Sequence, residues 1–344
     1  MATNTTKDNL LATLSGKLAE LVAEASGSVY MVGYDEGAPR TAFQISDTHI
    51  VSVARWAEPG ETVSLYDAAG ARHAIEVAGY DMTSGIVIAE HKGQALGQAT
   101  DKVGSGVGSG SDAASRVGEL ALTVALPSPE GIESRMGMIR CVGTGTRLPR
   151  GRRIDSYLQT DMQSFPGFLG APLLAADGSL RGITMPAGRA EGFVLPTQEL
   201  SKLVDALIAR PTVGLGRLGV HLQEAELPES VRAEREGQET GVLVTGLEPA
   251  SPAGTAGVQV GDILVGLDEL RVQNSVDLMD ALVGRNDSDV SLVLSRAGEL
   301  IEISAHADTA DLSMHGHHGG HGANGHHGGH GPQGRGRKRM HPRG

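Results

Sequence analysis

Ser251-Pro252-Ala253-Gly254-Thr255-Ala256-Gly257-Val258-Gln259-Val260-Gly261-Asp262-Ile263-Leu264 is the stretch that decides the second half of the chain. Its physical sense is a short helix, a glycine-dependent turn and a strand leading out of it. Working outward, residues 214 to about 305 read as a strand-rich unit with one clear helix, Val276–Val283. Upstream, Gln198–Ala209 has helical periodicity and stops at Arg210-Pro211, which marks a domain boundary. Downstream of Ala310 the chain is almost pure glycine and histidine, a composition that cannot build a core.

The run 251–264 resembles the S-P-A-x-x-A-G-L-x-x-G-D-x-I segment of PDZ domains. Taken alone, its glycines could be mere turn residues. The order of motif, upstream loop and downstream helix favours the PDZ reading. That resemblance implies that Arg217-Leu218-Gly219-Val220 is the loop whose backbone amides capture a peptide's terminal carboxylate. The peptide would then add as a strand beside Val220–Leu222, its last side chain resting on Leu278 and Leu282.

The first half reads differently. Leu10, Leu11, Leu14, Leu18, Leu21 and Val22 recur at helical spacing, so an amphipathic helix is expected up to Ser26-Gly27. From Val29 to about Pro196 short apolar runs alternate with turn residues, as in Val29–Val32, Ile50–Val53, Ile86–Ala89, Leu120–Val124 and Met138–Val142. Such spacing predicts an antiparallel barrel or sandwich. Residues 103–112 have the composition of a flexible loop.

Composition closes other doors. With 344 residues, two folded domains are expected. The single Cys141 excludes a disulfide framework and a cysteine zinc finger. No continuous apolar stretch is long enough for a membrane span, and no signal peptide is visible, so a cytoplasmic protein is expected. The net charge is −12, but the segment 312–344 holds five basic and no acidic residues. The remainder therefore has 24 basic against 41 acidic side chains, a charge of −17. An acidic body argues against a specific nucleic-acid partner.

A PDZ domain after an all-β domain of this size is the layout of HtrA-type serine proteases, and residues 18–305 resemble that family. Arg116–Val124 is similar to its R-V-G-E-L-x-L-A-V strand, Leu158-Gln159-Thr160-Asp161 to its I-Q-T-D, and Gly192–Pro196 to its G-F-A-I-P. The resemblance implies a mainly β protein: a trypsin-like domain of two six-stranded barrels, a PDZ domain and a disordered tail. The expected boundaries are 1–26 for the helix, 27–210 for the protease-like domain, 211–306 for PDZ and 307–344 for the tail. The family's base lies in I-V-T-N-A-H-V-V, where this chain has Ile50–Ala57 with Arg55 at the histidine position. Its carboxylate in D-x-x-x-D-L-A-V-L falls on Gly85, and its nucleophile in P-G-N-S-G-G-P-L on Leu169. Neither His49 nor Ser84, Asp81 or Ser164 is placed to substitute, and a guanidinium cannot serve as base. The expectation is a pseudoprotease, not an enzyme.

The tail carries His315, His317, His318, His321, His326, His327 and His330, with H-H-G-G-H occurring twice. Neutral imidazoles on a pliable backbone bind Ni, Zn or Cu. No cofactor is required by the fold. The resulting expectation is a non-catalytic scaffold or chaperone that binds protein C-termini and a divalent metal, serving the maturation of a metalloenzyme such as a nickel enzyme. The alternatives are a serine-type endopeptidase acting in protein quality control and a structural subunit of an oligomer. The family resemblance also implies a homo-oligomer, a trimer.

Overall fold

The computed structural model describes residues 4–33, 39–54, 57–91, 114–128, 131–165, 167–186 and 192–310. Arg55, the glycine-rich loop 103–112 and the seven tail histidines lie outside them. The protein is mainly β, with a trypsin-like pair of barrels followed by a PDZ fold.

Helix α1 (Asn4–Ser26) opens the chain. Its last turns bury Leu21 and Ala25 in the core of the barrels. Leu10 and Leu11 stay exposed, so only the C-terminal part of the apolar stripe is used within one chain. The first barrel contains β1 (Val29–Gly33), β2 (Arg40–Gln44), β3 (His49–Val53), β4 (Thr62–Tyr66), β5 (Arg72–Asp81) and β6 (Ile86–Glu90). All pair antiparallel in the order β5-β4-β1-β2-β3-β6, and β5 also pairs with β6, which closes the ring.

The second barrel is formed by β7 (Leu120–Ser128), β8 (Gly131–Arg147), β9 (Arg153–Thr160), β10 (Pro172–Ala175), β11 (Leu180–Thr184) and β12 (Phe193–Pro196). It closes in the order β10-β11-β12-β9-β8-β7. Helix α2 (Thr197–Ala209) buries Leu200, Leu203, Val204 and Leu207, a helical spacing that presents one apolar face. Those residues join Phe43 and Val51 of the first barrel and Leu126 and Leu195 of the second in one core. The short β13 (Thr212–Val213) then adds in parallel to the end of β5.

The third unit contains β14 (Gly216–Arg217), β15 (Val220–Glu226), α3 (Glu229–Glu234), β16 (Thr240–Leu247), α4 (Pro252–Ala256), β17 (Ile263–Leu267), β18 (Leu270–Arg271), α5 (Ser275–Leu282), β19 (Ser288–Arg296) and β20 (Glu299–Thr309). Its sheet runs β14-β20-β19-β17-β16-β15, so β15 is an edge strand. The run that opened the sequence reading folds as its residues dictate. Ser251 Oγ accepts the Gly254 amide at 3.2 Å, Pro252 starts α4, and Gly257 ends it with φ at +99°. Asp262 is then locked by Arg296 through two bonds of 2.8 Å. Burial pushes the Asp262 carboxyl up, but the Arg296 bonds and the Gln259 amide outweigh it and hold it below the usual carboxylate range.

Candidate functional site

Two candidate sites follow from this fold, a peptide groove in the third unit and a cleft between the barrels. The groove lies between the free edge of β15 and helix α5. Leu218, Leu278 and Leu282 are buried in one cluster, against which Val220, Leu222 and Leu247 are partly buried. The structure therefore brings together the groove residues named from the sequence. Gly219 has φ at +67°, and a Cβ there would fall 2.6 Å from Ser251 Cβ. Only glycine fits this approach. The Gly219 carbonyl accepts the Glu248 amide and the Leu218 carbonyl accepts the Ala253 amide, which pins the loop onto α4. Arg217 forms an ion pair with Glu248 beside the loop. An edge strand with exposed polar backbone and an apolar trough alongside is suited to adding one extended peptide strand.

The second site is the cleft where a trypsin-like domain carries its chemistry. Gly85 sits at the β5–β6 turn with φ at +82°, and its carbonyl accepts the Ala54 amide at 2.8 Å. The acid position thus lies beside the strand that leads to residue 55. A side chain at Gly85 would meet the Ala54 carbonyl at 3.0 Å and the Arg150 guanidinium at 3.6 Å. Arg150 itself bonds the Tyr80 hydroxyl and the Met82 carbonyl. Burial raises the Tyr80 pKa, and the arginine only partly offsets that.

Asp81 is fully committed to the turn. Its Oδ1 accepts the Thr83 amide and hydroxyl at 2.8 and 2.6 Å, and its Oδ2 accepts the Ser84 hydroxyl at 2.8 Å. Arg152 approaches the same carboxylate at 3.7 Å. His49 begins β3, at the far end of the strand from Ala54, and bonds Thr48 Oγ1 at 2.8 Å.

Leu169 and Gly170 form the turn at the nucleophile position. The Leu169 carbonyl accepts the Thr41 amide at 3.0 Å, and the Leu169 side chain is half-buried between two clusters. Phe168 is buried edge-on to Phe165, with ring centroids 5.4 Å apart. The Gly167 amide donates to the Pro39 carbonyl at 3.1 Å. Ser52 Oγ lies directly beneath this turn and donates to the Thr41 carbonyl at 2.8 Å.

Sequence reasoning missed the arginines of this cleft and the Pro39 contact. The run Arg147-Leu148-Pro149-Arg150-Gly151-Arg152-Arg153 was the available signal. It forms the β8–β9 turn, which also reaches α5 through Arg147 and Asp280 at 2.6 Å.

Both regions are similar to known proteins. Residues 216–306 match the PDZ domain family. "Serine endoprotease DegS" of Escherichia coli K12 is 28% identical over 190 residues, covering 52% of this chain and 53% of that protein. "Probable periplasmic serine endoprotease DegP-like" of Chlamydia pneumoniae is 29% identical over 208 residues, covering 55% of this chain and 39% of that protein. The chain thus spans about two fifths to a half of these relatives' own length. Among solved structures, the serine endoprotease from Yersinia pestis superposes with a TM-score of 0.59 at 20% identity, covering 85% of this chain and 98% of that one. "HtrA-type protease AlgW with decapeptide" gives 0.57 at 19%, covering 85% and 98%.

These names correct one expectation. The chain was expected not to be an enzyme, because Arg55, Gly85 and Leu169 stand at the three catalytic positions. The aligned relatives are named serine endoproteases, which contradicts that expectation.

Proposed function

The chain belongs to the HtrA-type, trypsin-like serine protease family with a PDZ domain, and from that premise we propose that it captures the C-termini of client proteins in the β15–α5 groove. The observation that carries this is the groove itself: Leu218, Leu278 and Leu282 converge beside a free strand edge, next to a loop that only Gly219 can make. Affinity purification followed by mass spectrometry, comparing wild type with Leu218→Asp, tests it. Clients held by wild type and lost by the variant are the expected result. Equal capture by both overturns the proposal.

The second reading is serine-type endoproteolysis in protein quality control, favoured by what the aligned relatives are named. Casein hydrolysis and fluorophosphonate labelling test it. A label abolished by a single serine-to-alanine substitution identifies the nucleophile, and absence of both label and hydrolysis sinks this reading.

The tail extends the proposal. Its seven clustered histidines are suited to holding Ni, Zn or Cu, and a groove and a metal tail in one chain suit delivery of metal to a client metalloenzyme. Calorimetry with nickel and zinc on the full chain and on residues 1–311 decides it. Binding confined to the full chain supports the tail, whereas equal or absent binding removes it. We also propose self-association, a trimer by family resemblance.

A further inference from the structure

The interior of the first barrel is not filled. Its buried side chains separate into two apolar clusters, one around Tyr30, Ile50 and Leu65, the other around Val77, Tyr80 and Met82. Between them lies a recess of about 140 Å³, partly open to solvent, with the exposed Glu61 on its wall. Its wall takes Ala42, Leu65 and Ala89 from the first cluster and Ala57, Val77 and Val87 from the second. The cause is in the sequence. Three wall positions are alanine, and the whole chain is only 3% aromatic, so few side chains are large enough to bridge the barrel.

Protein interiors are close-packed, and an apolar recess of this size inside a barrel is uncommon. An apolar cavity of about 150 Å³ stays dry and takes one benzene ring or a xenon atom. The present recess has the same scale and a mostly apolar wall, and it opens to solvent where the exposed Glu61 stands. Its two polar contributors do not change that. Ser52 Oγ is already satisfied by the Thr41 carbonyl at 2.8 Å, and Glu61 is an exposed residue whose carboxylate accepts the Glu58 amide. Among the described residues of the wall, all but Ser52 and Glu61 are apolar.

We propose that the first barrel carries a binding site for one small neutral apolar molecule, a single aromatic ring or a short branched alkane. Size excludes a long acyl chain. The Glu61 carboxylate disfavours an anion such as benzoate at the same place. The site is separate from the peptide groove of the PDZ unit. It adjoins the cleft, because Ser52 lines the cavity and also lies beneath the Gly170 turn.

Benzene is the probe, and the full chain is the sample. Methyl resonances of Leu65, Val77 and Val87 are followed by NMR as benzene is added, with benzoate as the control. Saturable shifts with benzene, none with benzoate and an unfolding midpoint raised by about 3 °C near tenfold excess over Kd are expected. Ala57→Leu and Ala42→Val fill the cavity from two sides and abolish the shifts. Absence of saturable shifts in wild type overturns the proposal. Shifts that persist in both filled variants place benzene elsewhere and overturn it too. Should one variant fail to fold, the other and the benzoate control still decide.

Discussion

At Gly170 the backbone conformation and the surroundings both exclude a side chain. Its φ is +83°, and an added Cβ would overlap the Thr41 carbonyl and lie 2.9 Å from Ser52 Oγ. Gly170→Ala should therefore cost about 3 kcal/mol, combining left-handed strain with a clash against backbone that cannot yield. Urea unfolding measures it, and a loss below about 1 kcal/mol would mean the turn moves freely. A second residue sets a pH dependence. His306 Nδ1 faces Asp289 at 2.9 Å and Nε2 faces Asp287 at 3.1 Å, and the bond to Asp289, then that to Asp287, raises its pKa. Both nitrogens donate only in the imidazolium. The folded pKa lies above the unfolded value of about 6.5, so the contribution is complete below that pH and is lost as pH rises through the raised value. The urea midpoints of wild type and His306→Gln should differ more at about pH 5.5 than at about pH 9. An equal difference at both would show that the pair contributes nothing.

Among the elements, the β8–β9 turn reaches far along the sequence for its contacts. Arg147 bonds Asp280 at 2.6 Å and the Val276 carbonyl at 3.4 Å, so the turn clasps the outer side of α5, whose inner side supplies Leu278 and Leu282 to the groove. From the same turn, Arg150 reaches Tyr80 and Met82 beside Gly85. Asp280 is about a quarter exposed, so Asp280→Ala should cost under about 1 kcal/mol globally. Hydrogen exchange should nonetheless quicken selectively in residues 148–152 and in α5. Unchanged exchange there would refute the clasp. Nothing local in the sequence announces a partnership between residues 133 positions apart. The elements themselves were legible, because their signals are local. The periodicity of Gln198–Ala209 and its stop at Arg210-Pro211 predict α2, and Ser251-Pro252 with Gly257 delimits α4. The barrel cavity was not legible. It depends on how Ala42 and Ala89 on their strands and Ala57 in the β3–β4 connection come together, a matter of register and closure.

At the scale of the whole molecule, the open question is what covers α1. Leu10 is 70% exposed and Leu11 68%, while the same helix buries Leu21 and Ala25. The sequence pattern is one stripe, yet a single chain uses only its end. Large apolar side chains on successive turns are costly to leave in water, and further copies of the chain are the partner always present at matching concentration. The body's charge of −17 opposes that association at long range, so the contact must rest on apolar area and should strengthen with salt. Light scattering on the full chain should accordingly report a mass above that of one chain, with dissociation favoured at low ionic strength. Leu11→Glu with Leu14→Glu should yield a monomer whose unfolding midpoint, extrapolated to infinite dilution, matches wild type, since neither side chain is buried within one chain. A monomeric wild type at about 50 μM would end the proposal, because a helix that needs covering would by then have found its partner. A stable oligomer in the double variant would relocate the interface to the barrels and free α1 of any role in it.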